Sequence, residues 1–303
     1  MIEEYRFIQI AEDAPELPEQ LGTKTKYWLH IDNKQYLLKI GRADTGENWA
    51  EKVACELCAL LGLPHAHYEL ALWKQNKGVI CETIVPQDGR LVMGNELLSE
   101  IHTNYPTQQR YQVKDHTFGR IASLLNRPEY LLPLDWEPPG VGISNAFDVF
   151  VGYLLLDAWI ANQDRHHENW GVISHNDAIY LAPTFDHAAS MGQNETDSVR
   201  KKRLNTKDPS YKIECYAKRA RSAIYLTKAE PKPLSTVDVF DKSAIRSPKG
   251  AKLWKEMLGD ISKQQCLAIF ERIPATEISE TAIEFAVTLL ELNKQRILRD
   301  TMS

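Results

Sequence analysis

Residues 156–171 read Leu156-Asp157-Ala158-Trp159-Ile160-Ala161-Asn162-Gln163-Asp164-Arg165-His166-His167-Glu168-Asn169-Trp170-Gly171, and Pro183-Thr184-Phe185-Asp186-His187 follows shortly after. The apolar run from Val149 to Ala161 predicts a buried core helix; it carries Asp157 and is too short to span a bilayer. Behind it, Trp170 to Ile173, a turn through His175-Asn176-Asp177, and Ala178 to Leu181 read as a hairpin. Two antiparallel strands joined by a short turn bring the chain back to its start. Asn169, just before the hairpin, and Asp186, just after it, are therefore expected side by side. Asp164 stands five residues upstream of Asn169 on the same loop.

These groups suit phosphoryl transfer. Magnesium takes oxygen ligands and keeps positions for phosphates and water. The Asp186 carboxylate and the Asn169 amide oxygen are the candidate metal ligands. Asp164 can orient an acceptor hydroxyl and receive its proton without touching the metal. A catalytic aspartate five residues ahead of a metal-binding asparagine is also the spacing of protein-kinase catalytic loops.

Working back toward the amino terminus, the first third reads as a sheet around one helix. A first strand is expected at Tyr5 to Ile10. Tyr27, Leu29 and Ile31 alternate, Asp32-Asn33-Lys34 turns, and Tyr36 to Ile40 returns. Trp49, Val53, Leu57, Leu60 and Leu61 recur at helical spacing before Gly62-Leu63-Pro64 stops the helix. A second hairpin is expected over 66–74 and 79–85, turning at Gln75-Asn76-Lys77-Gly78. The loop Gln20 to Lys26 can cover ATP phosphates through Gly22, Thr23 and Lys24, with Lys39 reaching them from the hairpin. Glu51 on the helix is placed to pair with Lys39. Backbone groups around Glu82 and Ile84 can hold an adenine at the exit from this unit.

After Pro86-Gln87-Asp88-Gly89 the pattern turns helical, at roughly 113–125, 145–162, 247–258, 262–272 and 278–298. The expected organisation is α+β and two-lobed, a protein-kinase-like fold with a sheet-rich lobe over 1–88 and a helix-rich lobe over 89–303. Two stretches, 127–144 and 192–244, lack periodicity and read as irregular. The second holds nine Lys or Arg against Asp208 and Glu214 within 200–222, where a kinase carries its substrate-binding segment. Docking of an acidic protein substrate is favoured there over nucleic-acid binding or a plain solvated loop. Ser190, Ser198, Thr206, Ser210 and Thr23 are candidate phosphorylation sites.

The 303 residues, 43 % hydrophobic and 25 % charged, are ordinary for a globular protein. A net charge of −5 gives no general reason to expect nucleic-acid binding. Five cysteines without regular spacing suit a reducing, cytoplasmic compartment. Cys55 and Cys58 form one C-x-x-C inside a helical pattern with no second pair, so they read as small buried residues rather than a zinc or redox site. Glu3, Glu4 and Arg6 interrupt any signal-peptide pattern.

The segments 156–169 and 183–187 resemble the catalytic and metal-binding segments of HipA-like kinases. Glu51, eleven residues before Gly62, resembles their helix glutamate. The resemblance runs through 20–86 and 145–191. It implies Asp164 as catalytic base, Asn169 and Asp186 as magnesium ligands, and Lys39 with Glu51 as the pair that orients ATP. It further implies transfer of the γ-phosphate to serine or threonine of protein, the kinase itself included, and leaves room for an antitoxin or regulatory partner. The short stretch ahead of the loop is similar to compact stand-alone members, such as the cell-translocating kinases, more than to the full-length toxins.

Three other functions compete. A metal-dependent phosphohydrolase would use Asp164, His166, Asp186 and His187 but leave Lys39 and Glu51 without a role. A pseudokinase binding module would not need Lys39, Asp164, Asn169 and Asp186 together. A small-molecule kinase acting on cationic acceptors would want an acidic acceptor side, whereas the segment here is basic. His166 reads as a structural histidine, and Asp157 as a buried brace for the loop.

Overall fold

The computed structural model describes residues 3–18 and 25–299. The loop positions Gly22, Thr23 and Lys24 lie outside the described residues, as does the candidate phosphorylation site Thr23.

The first unit is a six-stranded sheet carrying one helix. β1 (Ile8–Gln9) and β2 (Leu17–Pro18) are short edge strands, and β3 (Thr25–Ile31) and β4 (Lys34–Ile40) form the first hairpin. α1 (Glu47–Leu60) follows, then β5 (Tyr68–Trp73) and β6 (Asn76–Glu82). The strand order is β1-β5-β6-β4-β3-β2, antiparallel except where β1 joins β5. Asp32 and Asn33 make the first turn with φ of 49° and 64°, a left-handed pair that suits the twist of a two-residue hairpin. The second turn falls on Lys74 and Gln75 (φ 47° and 68°), not on Gln75 to Gly78 as the sequence suggested. Two left-handed residues complete that reversal, so the ladder already closes at Trp73 and Asn76.

Alternation along the strands sorts the two faces. Leu29, Leu38, Ala71 and Ile80 form a buried cluster on the face away from α1. Lys39 is opposite Lys26 on one side and Val79 on the other, and Val79 is opposite Leu70. Leu70 and Val79 bury against α1, and Lys39 shares their face.

The second unit starts with β7 (Arg90–Met93), α2 (Gly94–Ile101), α3 (Phe118–Leu125), β8 (Tyr130–Leu131) and α4 (Ala146–Ile160). β9 (Gly171–His175) and β10 (Ala178–Leu181) form the hairpin expected behind residues 156–169, in a four-stranded sheet ordered β7-β9-β10-β8. α5 (Asp197–Asn205), α6 (Ile213–Arg219), α7 (Thr236–Arg246), α8 (Pro248–Asp260), α9 (Lys263–Phe270) and α10 (Glu280–Leu298) complete the chain. α4 is the axis of this unit: every one of its residues is buried, among α7, α8 and α10. Among the described residues no helix is long and apolar enough to cross a membrane.

Five helices depart from the sequence reading. The stretch 192–244, read as irregular, contains α5, α6 and most of α7, and α2 was not foreseen. α5 is short and strongly charged, with no apolar stripe to read; the Thr196 hydroxyl caps it and it packs on α10. The helix expected from residue 113 begins only at Phe118, because the chain before it is held by the buried His116 side chain against Ala223 O at 3.1 Å.

Candidate active site

A cleft of about 370 Å³ lies between the six-stranded sheet and the loop that follows α4. Trp28, Leu37, Ala66 and Phe185 give it apolar walls, while Lys39, Asn169 and Asp186 line it with polar groups. Glu82 and Ile84 border it where β6 ends. The Glu82 carboxylate is taken by Lys34 at 3.0 Å and by the Tyr36 hydroxyl at 3.4 Å. The Thr83 N–H donates to Gln35 O at 2.9 Å, beyond which the chain leaves the sheet.

The expected ion pair is present and larger than expected. Lys39 Nζ lies 3.2 Å from Asp186 Oδ1 and 3.7 Å from Glu51 Oε2, and donates to the Tyr68 hydroxyl at 2.9 Å. Glu51 Oε1 also accepts the His187 N–H at 2.7 Å. Burial opposes the Lys39 charge, but Asp186, Tyr68 and Glu51 outweigh it and hold the ammonium well above the usual lysine range. Tyr68 was not foreseen in this role. Its signal was the strand register, which puts Tyr68 and Leu70 on the face that Lys39 shares with Val79.

The loop itself is built on a buried guanidinium. α4 ends at Ala161 in the left-handed region (φ 53°, ψ 43°), and Asp157 O caps it by accepting the N–H groups of Ala161 and Asn162. Arg165, wholly buried, donates to Asp157 through Nε and Nη2, both at 2.8 Å. The same guanidinium donates to Asn169 O at 2.7 Å and Thr184 Oγ1 at 3.1 Å, tying the loop to the segment that carries Asp186. Asp157 is the brace the sequence suggested; Arg165, its partner, was passed over as one letter of a motif. The Asn169 amide donates to Asp164 O at 2.6 Å, which leaves its own carbonyl oxygen as the amide's acceptor atom.

Asp164 and Asp186 also border a second cavity of about 270 Å³, shared with Lys26, Arg42, Arg110 and Tyr111. Asp186 therefore stands on both spaces, with Lys39 and Asn169 on the first and Asp164 on the second. Asp186 is held in the left-handed region (φ 60°), uncommon for a residue other than glycine.

The histidines around the loop are structural. The Glu168 N–H donates to His166 Nδ1 at 3.1 Å, while Arg110 Nε lies 3.3 Å from Nε2. Burial, and then Arg110, pushes the His166 pKa down to about 3. His167 is bonded to the Tyr105 hydroxyl at 2.9 Å, and His116 accepts from Trp170 Nε1 at 3.0 Å. His187 turns to Thr184 Oγ1 at 2.7 Å, and burial holds it neutral. Among the described residues, Asp164, His166, Asp186 and His187 do not bring their donor atoms together as one group.

The basic segment is partly structural too. Arg200 is bound to Asp197, Gly192 O and Gln193 O, and Arg203 to Glu195 with Tyr211 and Tyr216 beneath it. Lys201, Lys207, Lys218 and Arg219 remain exposed. Ser190 is buried, unlike Ser198 and Ser210, which are exposed.

No protein-family model and no curated protein matches the sequence. Among solved structures, the chain is similar to the Helicobacter pylori proinflammatory kinase CtkA, at 19 % identity and a TM-score of 0.69 over 94 % of this chain and 95 % of that one. It is also similar to HipA from a Shewanella oneidensis toxin–antitoxin complex with HipB and operator DNA, at 14 % identity and a TM-score of 0.58. That match covers 94 % of this chain and 65 % of the HipA chain. The fold is thus the α+β, HipA-like kinase fold, here in an arrangement close to that of CtkA.

Proposed function

We propose that the protein is an ATP- and magnesium-dependent kinase that transfers the γ-phosphate to serine or threonine of a protein. The observation that carries this reading is the placement of Asp186, touching Lys39 on the side of the apolar cleft and sharing the second cavity with Asp164. Such a layout puts a nucleotide and an acceptor on two sides of one carboxylate.

The cleft suits ATP: its walls are apolar where an adenine would lie, and Glu82 and Ile84 offer backbone groups at its edge. Lys39, buried and held charged by Glu51 and Asp186, is the proposed phosphate ligand. Asp186 and the Asn169 carbonyl oxygen are hard oxygen donors of the kind magnesium takes, and they are the proposed metal ligands. Bound magnesium would supply neutralisation of phosphate charge. Asp164, on the acceptor side, orients the hydroxyl and receives its proton. Arg165 and Asp157 hold the loop in register for both residues.

The serine or threonine acceptor rests on the resemblance of residues 156–169 to HipA-like kinases, and a regulatory partner belongs to the same proposal. The exposed Lys201, Lys207, Lys218 and Arg219 in the segment after Asp186 favour an acidic protein acceptor over a cationic small molecule. The test is incubation of the purified protein with γ-labelled ATP, magnesium and an acidic protein acceptor. Label on serine or threonine, of acceptor or of the chain itself, is expected. Release of free phosphate alone, or label on a small cationic acceptor only, contradicts it.

A further inference from the structure

We propose that Cys55, His65 and His67 form a binding site for a zinc-class metal ion, separate from the magnesium ligands. The three side chains come from two elements: Cys55 from α1, and His65 and His67 from the segment that leads into β5. Each offers a donor atom, and these atoms all lie within 4.8 Å of one another. The mixture of one thiolate and two imidazoles is what zinc prefers, and magnesium does not take it.

Two contacts orient the donors. His65 Nδ1 lies 2.7 Å from Leu63 O, so Nδ1 carries the proton and Nε2 is left with the lone pair. The Tyr68 N–H points at Cys55 Sγ at 3.4 Å, the kind of N–H···S contact that supports a metal-bound thiolate. The rings of His65 and His67 stand 4.5 Å apart, alternate residues of one extended segment and thus on one side of it. Cys55 is buried, His65 half-buried and His67 exposed, so an ion has a way in from solvent and room for water as a fourth ligand. Metal bonds of about 2.0–2.3 Å draw tetrahedral donors to separations of roughly 3.3–3.8 Å. Donor atoms already within 4.8 Å of one another stand at most about 1.5 Å wider than that.

The position gives the ion a consequence. Cys55 stands one turn beyond Glu51 on α1, and His67 directly precedes Tyr68; Glu51 and Tyr68 both contact Lys39. An ion held by Cys55, His65 and His67 therefore clamps the helix to the strand on either side of the lysine. The C-x-x-C is not the unit: the fully buried Cys58 is not in the cluster, and the partners of Cys55 are histidines.

The experiment titrates Co2+ into the purified full chain, reading thiolate-to-cobalt charge-transfer absorption, and repeats it with Zn2+ as competitor. One equivalent with a thiolate band is expected, displaced by Zn2+ and unmoved by a hundredfold excess of Mg2+. The band should vanish in Cys55→Ser, affinity should fall at least tenfold in His67→Ala, and both should persist in Cys215→Ser. Zn2+ should raise the unfolding temperature of the wild type and not of Cys55→Ser, a readout independent of any kinase activity. Absence of a saturable band, displacement by Mg2+, or undiminished binding in His67→Ala overturns the site.

Discussion

Lys39 Nζ and Asp186 Oδ1 are 3.2 Å apart across a separation of 147 residues in the chain. One comes from the middle of the six-stranded sheet and the other from the turn after the β9–β10 hairpin, so the contact joins the two walls of the cleft. Glu51 touches Lys39 from α1 and the His187 N–H beside Asp186. A buried ammonium so placed pairs with two carboxylates at once and lines the cleft between them.

Lys39→Met should lower phosphoryl transfer by roughly 100-fold or more, since it removes a preorganised cation from the reacting region. Glu51→Ala should also be strongly impaired, and the double variant little worse than the worse single one. That non-additivity identifies a coupled pair. Activity assays on the four proteins of the cycle decide it; fully additive losses mean the two residues act separately.

Arg165→Met should destabilise the fold by about 3–5 kcal/mol, because it leaves Asp157 buried and unpaired. Arg165→Lys should recover only part of that loss, as a point charge cannot serve Asp157, Asn169 O and Thr184 in one plane. Urea denaturation gives both numbers. Wild-type stability in Arg165→Met would show that the loop does not depend on this guanidinium.

Acid should weaken the fold through the buried histidines. Burial lowers His116 and His166 to about 3 and His167 to about 4, below the unfolded value near 6.5. In this window the unfolded chain binds protons that the folded chain refuses, so stability is complete above about pH 6.5 and falls as pH drops toward 4. The slope is about 1 kcal/mol per pH unit for each such histidine. Unfolding midpoints of the wild type and His116→Gln between pH 7.5 and 5 should show a shallower fall in the variant. Parallel curves contradict the assignment for His116.

Much of this site was legible in the sequence because hairpins make strong local statements. The β9–β10 hairpin brought Asn169 and Asp186 to one cleft, as its turn residues suggested. Lys39 and Glu51 met as expected because strand alternation and helical spacing each fix a direction. Arg165 escaped because its value lies in four hydrogen bonds to three residues spread over 157–184, and no periodicity marks such a fork. Tyr68 escaped for a related reason: a tyrosine among strand apolar residues looks like core until the register with β6 is known. The helices α5 and α6 were invisible because they are short: α5 is charged and held by its Thr196 cap and by contact with α10, while α6 has no side-chain cap and buries only Ile213 and Ala217 against Phe285 and Leu289 of α10.

The most direct test of the proposed mechanism compares Asp164→Asn and Asp186→Ala by magnesium-dependent ATP binding and by single-turnover phosphoryl transfer. Asp186→Ala is expected to lose magnesium-dependent binding and transfer together. Asp164→Asn is expected to bind ATP with near wild-type affinity while transfer slows by roughly 10²–10⁴-fold, the loss of a group that acts on the acceptor hydroxyl. Loss of ATP binding in Asp164→Asn with its saturated rate intact, or undiminished turnover in Asp186→Ala, contradicts the division of roles between the two aspartates.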